Sequence, residues 1–220
     1  MIKPPYSYSH LALYDGCAFK HNLQRILEVH PAEPQDTKAA DRGTMLHEAC
    51  EAYITGEVEI IPTEIAQFKP VLDKLRKSGA KCEVRLACTE DMQPCEYDDP
   101  DAFFYGVIDT LELGELVMQV GDWKSGKKRD YSSQLSFYAM LVLINYPKVK
   151  TVMTRIRYLD LAVSTPGFEH GRRGLPALFD KWKLTVSRMV KDKIRSPTPG
   201  DHCKWCPYNA KKMGICKWGG

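Results

Sequence analysis

The sequence predicts an α/β domain in which a mixed central β-sheet is flanked by helices. Helical segments come first, a run of strands rich in β-branched and aromatic residues follows, and a helix, a strand and a last helix complete the order. A length of 220 residues suits one domain that buries a substantial core. The hydrophobic content of 44% and the charged content of 27% are typical of an ordinary soluble globular protein.

The N-terminal part of the chain is predicted to be helical. Ser9 is a suitable cap for a first helix that runs to about His30, because apolar residues recur there at helical spacing. A polar loop that contains proline follows at 31–37. A second helix is expected at 41–56, and a third at 64–79, where Gly79 favours an end.

Strands are expected from residue 82 onward. Residues 82–89 alternate in polarity, 103–113 are rich in β-branched and aromatic side chains, and 116–123 follow a turn at Gly114-Glu115. A helix at 132–145, a strand at 151–159 and a long helix at 176–195 complete the prediction.

Two features of the chain concern its compartment and its cysteines. No apolar run approaches the roughly 20 residues that cross a bilayer, and the N-terminus lacks the apolar segment of a signal peptide, so we expect a cytoplasmic protein. In that compartment eight cysteines favour metal binding over a set of disulfides. The net charge of +3 is too small to indicate nucleic acid by itself.

The predicted hairpin carries three polar residues on one face. Asp122 and Lys124 are two residues apart, so on a strand they project from the same side. With a turn at Gly114-Glu115, Asp109 lies opposite Val120 and diagonal to Asp122, at about 7–8 Å between backbones. Two such carboxylates can hold Mg²⁺ or Mn²⁺, and a neighbouring ammonium can stabilise the transition state of phosphodiester hydrolysis.

Four motifs in the expected order resemble those of the PD-(D/E)XK nuclease superfamily, in its RecB-type branch. G-V-I-D at 106–109 and D-W-K-S-G-K at 122–127 are similar to the motifs that carry its acidic residues and lysine. R-G-T-M-L-H-E at 42–48 resembles the helix whose histidine binds metal, and Q-L-S-F-Y at 134–138 resembles the Q-x-x-x-Y helix. The branch includes CRISPR-associated RecB-like exonucleases, AddB nuclease domains and phage exonucleases. Ile108 stands where other branches have proline.

The resemblance implies a restriction-endonuclease-like core with a metal-dependent site. It implies that the metal ligands are His47, Asp109, Asp122 and the backbone carbonyl of Trp123, and that the catalytic residues are Asp109, Asp122, Lys124, Gln134 and Tyr138. From the residues themselves, Glu51 lies one helical turn after His47 and can orient its imidazole, although a lone helical histidine is more often simply half-buried. Glu83 is a further acidic candidate on the preceding strand.

The C-terminal segment contains three closely spaced cysteines, Cys203, Cys206 and Cys216. A tetrahedral ion or a cubane needs a fourth ligand, which is either the adjacent His202 or a distant cysteine, and spacing alone leaves zinc open. The segments around Cys17 and at 202–208 resemble those that bind a 4Fe-4S cluster in RecB-type nucleases. The resemblance therefore implies that Cys17 completes such a cluster, whereas the remaining cysteines, Cys50, Cys82, Cys88 and Cys95, are expected to pack as small apolar residues.

Such a cluster would join the two ends of the chain, 1–30 and 197–220, to a catalytic core at 31–196 within one nuclease domain at 1–220. The leading functional hypothesis is a DNA exonuclease that acts on ends of linear DNA. Its phosphate contacts are expected from Lys127, Lys128 and Arg129, and its stacking contacts from Tyr105, Trp123 or Tyr131.

Two alternatives stay open: a structure-specific endonuclease with the same site, and a non-catalytic nucleic-acid-binding module with a zinc staple. By analogy with the family, the partner proteins would be those of recombination or of CRISPR adaptation.

Overall fold

A computed structural model of the chain describes residues 3–31 and 37–219. The chain divides into two compact units: Met1–Thr37 with Trp182–Gly220 form the first, and Lys38–Lys181 form the second. No helix within the described ranges is both long enough and apolar enough to cross a membrane. Most of the loop predicted at 31–37 lies outside the described residues.

The second unit is built on a seven-stranded mixed sheet, which confirms the predicted fold class. Its strands follow the order β2-β1-β3-β4-β5-β6, and β7 also pairs with β5. Their bounds are β1 Lys81–Thr89, β2 Pro94–Cys95, β3 Ala102–Glu112, β4 Val117–Lys124, β5 Thr151–Tyr158, β6 Val163–Ser164 and β7 Phe168–Gly171. Only the β4–β5 pair is parallel among these pairings, and a helix connects those two strands.

The described residues form six α-helices: α1 Tyr8–Gly16, α2 Ala18–Arg25, α3 Lys38–Thr55, α4 Lys69–Ser78, α5 Ser132–Asn145 and α6 Leu175–Lys191. Short 3₁₀ turns lie at Thr63–Phe68, Leu159–Leu161, Arg172–Gly174 and Asp201–Trp205. The single helix predicted from Ser9 to His30 is wrong, because the backbone is extended at Cys17 (φ −166°) and a new helix starts there. The helix predicted at 64–79 begins as a 3₁₀ turn, and it ends as predicted at Gly79, whose φ is +68°.

The hairpin register differs by two residues from the predicted one. Leu111 pairs with Val120 and Thr110 with Gly121, so the same register continued by one step sets Asp109 opposite Asp122 rather than opposite Val120. The physical reason is burial, since this register pairs two residues that are at most 1% exposed. The predicted tighter turn would have paired Leu113 with Leu116. Both leucines are about half exposed and lie in the longer connection between β3 and β4.

The two faces of the sheet pack against different helices. Trp123 packs with buried residues of α3 and α4, including Leu46 and Leu72. Leu135 of α5 packs with Ile156 on the other face. Because side chains alternate along a strand, Asp122 projects toward the α5 face while Trp123 projects toward α3 and α4. The site described below therefore has a helix on each side of its central strand.

The first unit is held together by contacts between its two chain segments. The Tyr208 hydroxyl donates to the Val29 carbonyl at 2.7 Å, and the Tyr14 hydroxyl donates to Asp192 at 3.0 Å. The Arg195 guanidinium donates to the side-chain oxygen of Asn22 at 2.7 Å. Hydrogen bonds thus tie the N-terminal helices to the C-terminal segment.

Candidate functional site

Two carboxylates lie side by side in the centre of the sheet. The Trp123 amide donates to Asp109 Oδ2 at 2.7 Å, and Asp122 is only 1% exposed. Burial raises the pKa of both carboxyl groups, and the charge of Asp109 raises that of Asp122 further. Two ionised carboxylates in such surroundings are costly without a positive partner.

Lys124 supplies part of that positive charge. Its Nζ lies 2.6 Å from Asp122 Oδ2, and it also lies over the ring of Tyr131, 5.1 Å from the centroid. The contact with Asp122 is a close ion pair, and apart from this ammonium the buried Oδ2 has no hydrogen-bond partner among the described residues. The oxygen therefore keeps coordinating capacity in addition to its contact with the ammonium.

His47 reaches the carboxylates from α3. Its Nδ1 lies 3.6 Å from Asp109 Oδ2. Burial and then the charge of Lys124 lower the pKa of His47, which favours the neutral imidazole that can bind a metal. Glu51, expected to orient this ring, acts electrostatically on Glu83 and Cys82 of β1.

Helix α5 holds Asp122 from the other side. Gln134 Nε2 donates to Asp122 Oδ1 at 3.1 Å and to the Tyr138 hydroxyl oxygen at 2.9 Å. Gly106 allows this approach, because a Cβ there would lie 3.0 Å from Leu141 Cδ1 and 3.3 Å from Tyr138 Cε1. The Q-x-x-x-Y pair thus lies at the carboxylates, and one oxygen of Asp122 is fixed by an amide.

Glu83 lies level with Asp109 on the neighbouring strand, between the pairs Cys82–Thr110 and Val84–Ile108. Its φ of +47° is in the left-handed region, which costs a residue with a Cβ on the order of 1 kcal/mol or more. The charge of Glu83 contributes to raising the pKa of Asp109. This third acidic residue is therefore electrostatically coupled to the pair.

A basic loop follows Lys124, and its three predicted phosphate-binding side chains are exposed: Lys127, Lys128 and Arg129. Asp160 accepts from the Gly126 amide at 2.5 Å and pairs with Arg42 Nη2 at 2.6 Å. The Tyr158 hydroxyl donates to the Arg129 carbonyl at 2.8 Å. Sequence reasoning missed these anchors, because Asp160 and Arg42 are 118 positions apart and no local pattern joins them.

The prediction that Trp123 stacks on bases is wrong. Its side chain is 2% exposed, lies edge-on to Phe68, and has the Arg157 guanidinium 4.9 Å from its ring centroid. Tyr105 lies edge-on to Tyr97. Trp123 is buried because its position in the strand points it toward α3 and α4.

The donor chemistry of the site fits Mg²⁺ or Mn²⁺. Within the described part of the chain, no three His, Cys, Asp or Glu side chains are grouped closely enough to hold a metal ion by themselves. Asp109, Asp122 and His47 nevertheless converge, and among the described residues the buried Asp122 Oδ2 has no polar partner other than the Lys124 ammonium. Hard oxygen ligands with positions left for water suit these cations.

In the first unit, one pocket is lined by all four predicted cluster cysteines and by His202: Cys17, Cys203, Cys206 and Cys216. Cys17 Sγ accepts from the amides of Lys20 at 3.4 Å and Thr198 at 3.5 Å. The cysteine side chains that line the pocket are thus of the type that binds a metal centre through sulfur. Their positions are not close enough together to hold a metal ion without rearrangement.

The other four cysteines belong to the second unit. Cys50 and Cys88 are fully buried, and burial raises the pKa of Cys50, Cys82 and Cys88 to about 12. Thiols of such high pKa are protonated at neutral pH and poor ligands.

Comparison with known proteins gives one matching family and alignments with solved structures at low sequence identity. The family model described as the PD-(D/E)XK nuclease superfamily matches residues 5–211. Comparison with curated proteins returns no significant match. The crystal structure of SSO0001 aligns with a TM-score of 0.47 and 13% identity, covering 100% of this chain and 90% of that one. A candidate exonuclease from Eubacterium rectale aligns with a TM-score of 0.49 and 10% identity, covering 84% and 79%.

Proposed function

Because this chain belongs to the PD-(D/E)XK nuclease superfamily, we propose that it is a metal-dependent DNA nuclease with its active site on β3 and β4. The observation that carries the proposal is the convergence of a buried carboxylate pair, an ammonium 2.6 Å from one of them and an imidazole 3.6 Å from the other. Asp109, Asp122, His47 and the Trp123 carbonyl would hold Mg²⁺ or Mn²⁺. The bound cation supplies Lewis-acid activation of the phosphate and a water of lowered pKa.

The residues of the chain then have separate tasks. Gln134 fixes Asp122 Oδ1, which leaves Oδ2 as the oxygen that would bind the cation. The Trp123 amide fixes Asp109 in the same way. Lys124 carries a positive charge beside the carboxylates, where it can donate to a phosphate oxygen as negative charge develops.

Substrate contacts are proposed for the exposed basic loop. Lys127, Lys128 and Arg129 can bind phosphates, and such contacts position a strand without reading its sequence. Asp160 and Tyr158 fix the backbone of this loop, so its charged side chains are held near the end of β4, the strand that carries Asp122 and Lys124. We propose cleavage that depends on free ends rather than on base sequence, which is the behaviour of an exonuclease.

We further propose that Cys17, Cys203, Cys206 and Cys216 hold a 4Fe-4S cluster. The shared pocket and the two amides that donate to Cys17 support this assignment. The cluster is proposed as a structural link between the two segments of the first unit, and zinc is the competing occupant.

End-labelled linear DNA and a covalently closed circle, each incubated with Mn²⁺ or Mg²⁺, test the function. The wild-type chain should release short products from linear DNA and leave the circle intact. Lys124→Ala and Asp122→Asn should each lose about 100-fold or more in rate, the typical cost of losing a group that stabilises the transition state. Lys148→Ala, which removes an exposed lysine elsewhere in the second unit, is the matched control.

Near-normal cleavage by Lys124→Ala would contradict the proposed mechanism. If the chain cuts the closed circle at defined positions, the proposed activity becomes that of an endonuclease rather than that of an exonuclease.

A further inference from the structure

The C-terminal part of the first unit exposes two tryptophans among lysines. We call residues 201–219 the C-terminal knuckle. Trp205 is 78% exposed and Trp218 is 40% exposed, whereas Trp123 and Trp182 are buried. The knuckle has four exposed lysines and a single carboxylate side chain, that of Asp201; the lysines are Lys204, Lys211, Lys212 and Lys217.

Asn209 organises the knuckle from its centre, where it is 2% exposed. Its side-chain Nδ2 donates to the Cys203 carbonyl at 3.0 Å, and its Oδ1 accepts from the Lys212 amide at 2.9 Å. Its backbone carbonyl accepts from the Gly214 amide at 2.9 Å. One buried amide thus fixes both the start of the knuckle and its middle.

The end of the knuckle is fastened to the same centre. The Cys216 amide donates to the Tyr208 carbonyl at 2.8 Å, and the Ala210 amide donates to the Trp218 carbonyl at 3.4 Å. A Cβ on Gly219 would lie only 2.4 Å from the Cys203 carbonyl oxygen, which shows how closely the last residues approach the first. The exposed tryptophans and lysines therefore belong to one small, internally bonded segment.

Aromatic and cationic groups are interleaved on this segment. Lys204 precedes Trp205 and Lys217 precedes Trp218, whose ring has the Lys217 Nζ 5.2 Å from its centroid. A membrane-surface element would instead collect its apolar residues on a face apart from its charges. An unpaired nucleic-acid strand presents base faces and phosphates in alternation, and interleaved aromatic rings and ammonium groups bind both.

We propose that the C-terminal knuckle is a binding site for an unpaired nucleic-acid strand. Trp205 stacks on a base, Trp218 provides a second and less exposed ring, and the lysines contact phosphates. Paired bases hide their faces within the duplex stack, so the site prefers single strands over duplexes. The proposal goes beyond the nuclease active site, because none of its residues belongs to that site and binding does not require cleavage.

Fluorescence anisotropy of a short labelled oligothymidylate tests the proposal, with the full-length chain and no added Mg²⁺ or Mn²⁺, so that binding is measured without cutting. Trp205→Ala should weaken binding about tenfold, within the range for loss of one base–aromatic stack. Trp205→Phe keeps an aromatic face and should stay within about threefold of wild type. Phe168→Ala removes an aromatic side chain that is 47% exposed in the second unit, and it should leave the affinity unchanged.

An abasic oligonucleotide of equal length separates stacking from charge, because it keeps the phosphates and lacks the bases. On this ligand Trp205→Ala should have no effect, whereas a Lys211→Gln, Lys212→Gln double variant should weaken binding to both ligands and reduce its salt dependence.

Three results would overturn the proposal. The first is that the wild-type chain does not bind the oligothymidylate. This includes the case in which the chain binds anionic phospholipid vesicles instead. The second is an unchanged affinity for Trp205→Ala, and the third is an equal loss by Trp205→Ala on the abasic strand. A chain that binds the oligothymidylate but never cuts DNA would contradict the proposed nuclease function alone.

Discussion

Substitution of Gly121 should show how β4, the strand that carries Asp122 and Lys124, is supported by the side chains packed against its opposite face. Arg157 lies on the face of the sheet that Trp123 occupies and is only 4% exposed. Its Nη1 donates to Thr110 Oγ1 at 2.9 Å, its Nη2 lies 3.6 Å from Glu112, and its guanidinium lies against the Trp123 ring. Gly121, the residue before Asp122, leaves the space that this guanidinium fills.

A Cβ on Gly121 would lie 1.6 Å from Arg157 Nη1 and 2.5 Å from Thr110 Oγ1. In Gly121→Ala the guanidinium must therefore move. Its hydrogen bond is worth about 1.5–3 kcal/mol and its ring contact about 0.5–2 kcal/mol. Since these contributions are not fully additive, we expect a loss of about 3 kcal/mol in the free energy of unfolding.

A double-mutant cycle tests this cause directly. Arg157→Met should destabilise the chain by about 3 kcal/mol or more, because it removes the same contacts and leaves the largely buried Glu112 without its partner. The same change opens space for the alanine methyl group. Gly121→Ala combined with Arg157→Met should therefore cost at least about 1 kcal/mol less than the sum of the single changes.

Urea unfolding of the full-length chain measures each variant, and the cleavage rate is measured in parallel. Gly171→Ala is a matched control in the same unit, because a Cβ there meets nothing within 4 Å. Additivity within about 0.5 kcal/mol would refute the steric argument. So would a stable Gly121→Ala variant that cleaves DNA at the wild-type rate.

Two further predictions concern the first unit. His10 Nε2 and His21 Nε2 are 2.9 Å apart, and burial, then the nearby His10, Arg195 and Arg25, lower the pKa of His21 to about 4. The folded state thus binds its proton more weakly than the unfolded state does, so stability should fall by up to about 3 kcal/mol as the pH drops from about 6.5 to about 4. Urea unfolding against pH should show this slope in the wild type and a smaller one in His21→Gln; equal slopes would contradict it. Chain purified without oxygen should be brown and carry about four iron atoms. Cys17→Ser should lose the iron while Cys95→Ser keeps it, and stoichiometric zinc in the wild type would replace the iron assignment.

Local periodicity predicted the parts of the site that depend on one strand or one helix. Asp122 and Lys124 share a face because they are two residues apart, and Gln134 and Tyr138 share one because they are a helical turn apart. The strand register could not be predicted in the same way. It depends on which pairs become buried, and that is decided by packing across the whole sheet.

Contacts between distant segments were also beyond prediction. The indole ring of Trp123 is of the type that stacks on bases, but the ring points toward α3 and α4, the helices that cover its face of the sheet. Arg157 is one of many basic residues in the sequence, and only the structure shows that it lies buried beneath Gly121. Sequence reasoning assigned the C-terminal tail a role only through its metal-binding cysteines and gave no role to Trp205, whose exposure depends on how the knuckle folds around Asn209.

Strand β4 lies inside the sheet, with antiparallel hydrogen bonds to β3 on one side and parallel hydrogen bonds to β5 on the other. An amide of such a strand that donates to either neighbour exchanges its hydrogen only when that pairing opens, so these hydrogens are among the slowest to exchange in a domain. The exposed loop after Lys124 is held differently, through contacts of its backbone with the side chains of Asp160 and Tyr158. Strand β4 therefore depends on main-chain pairing and the basic loop on a few side-chain contacts, so local opening should expose the amides of the loop before those of the strand that carries Asp122.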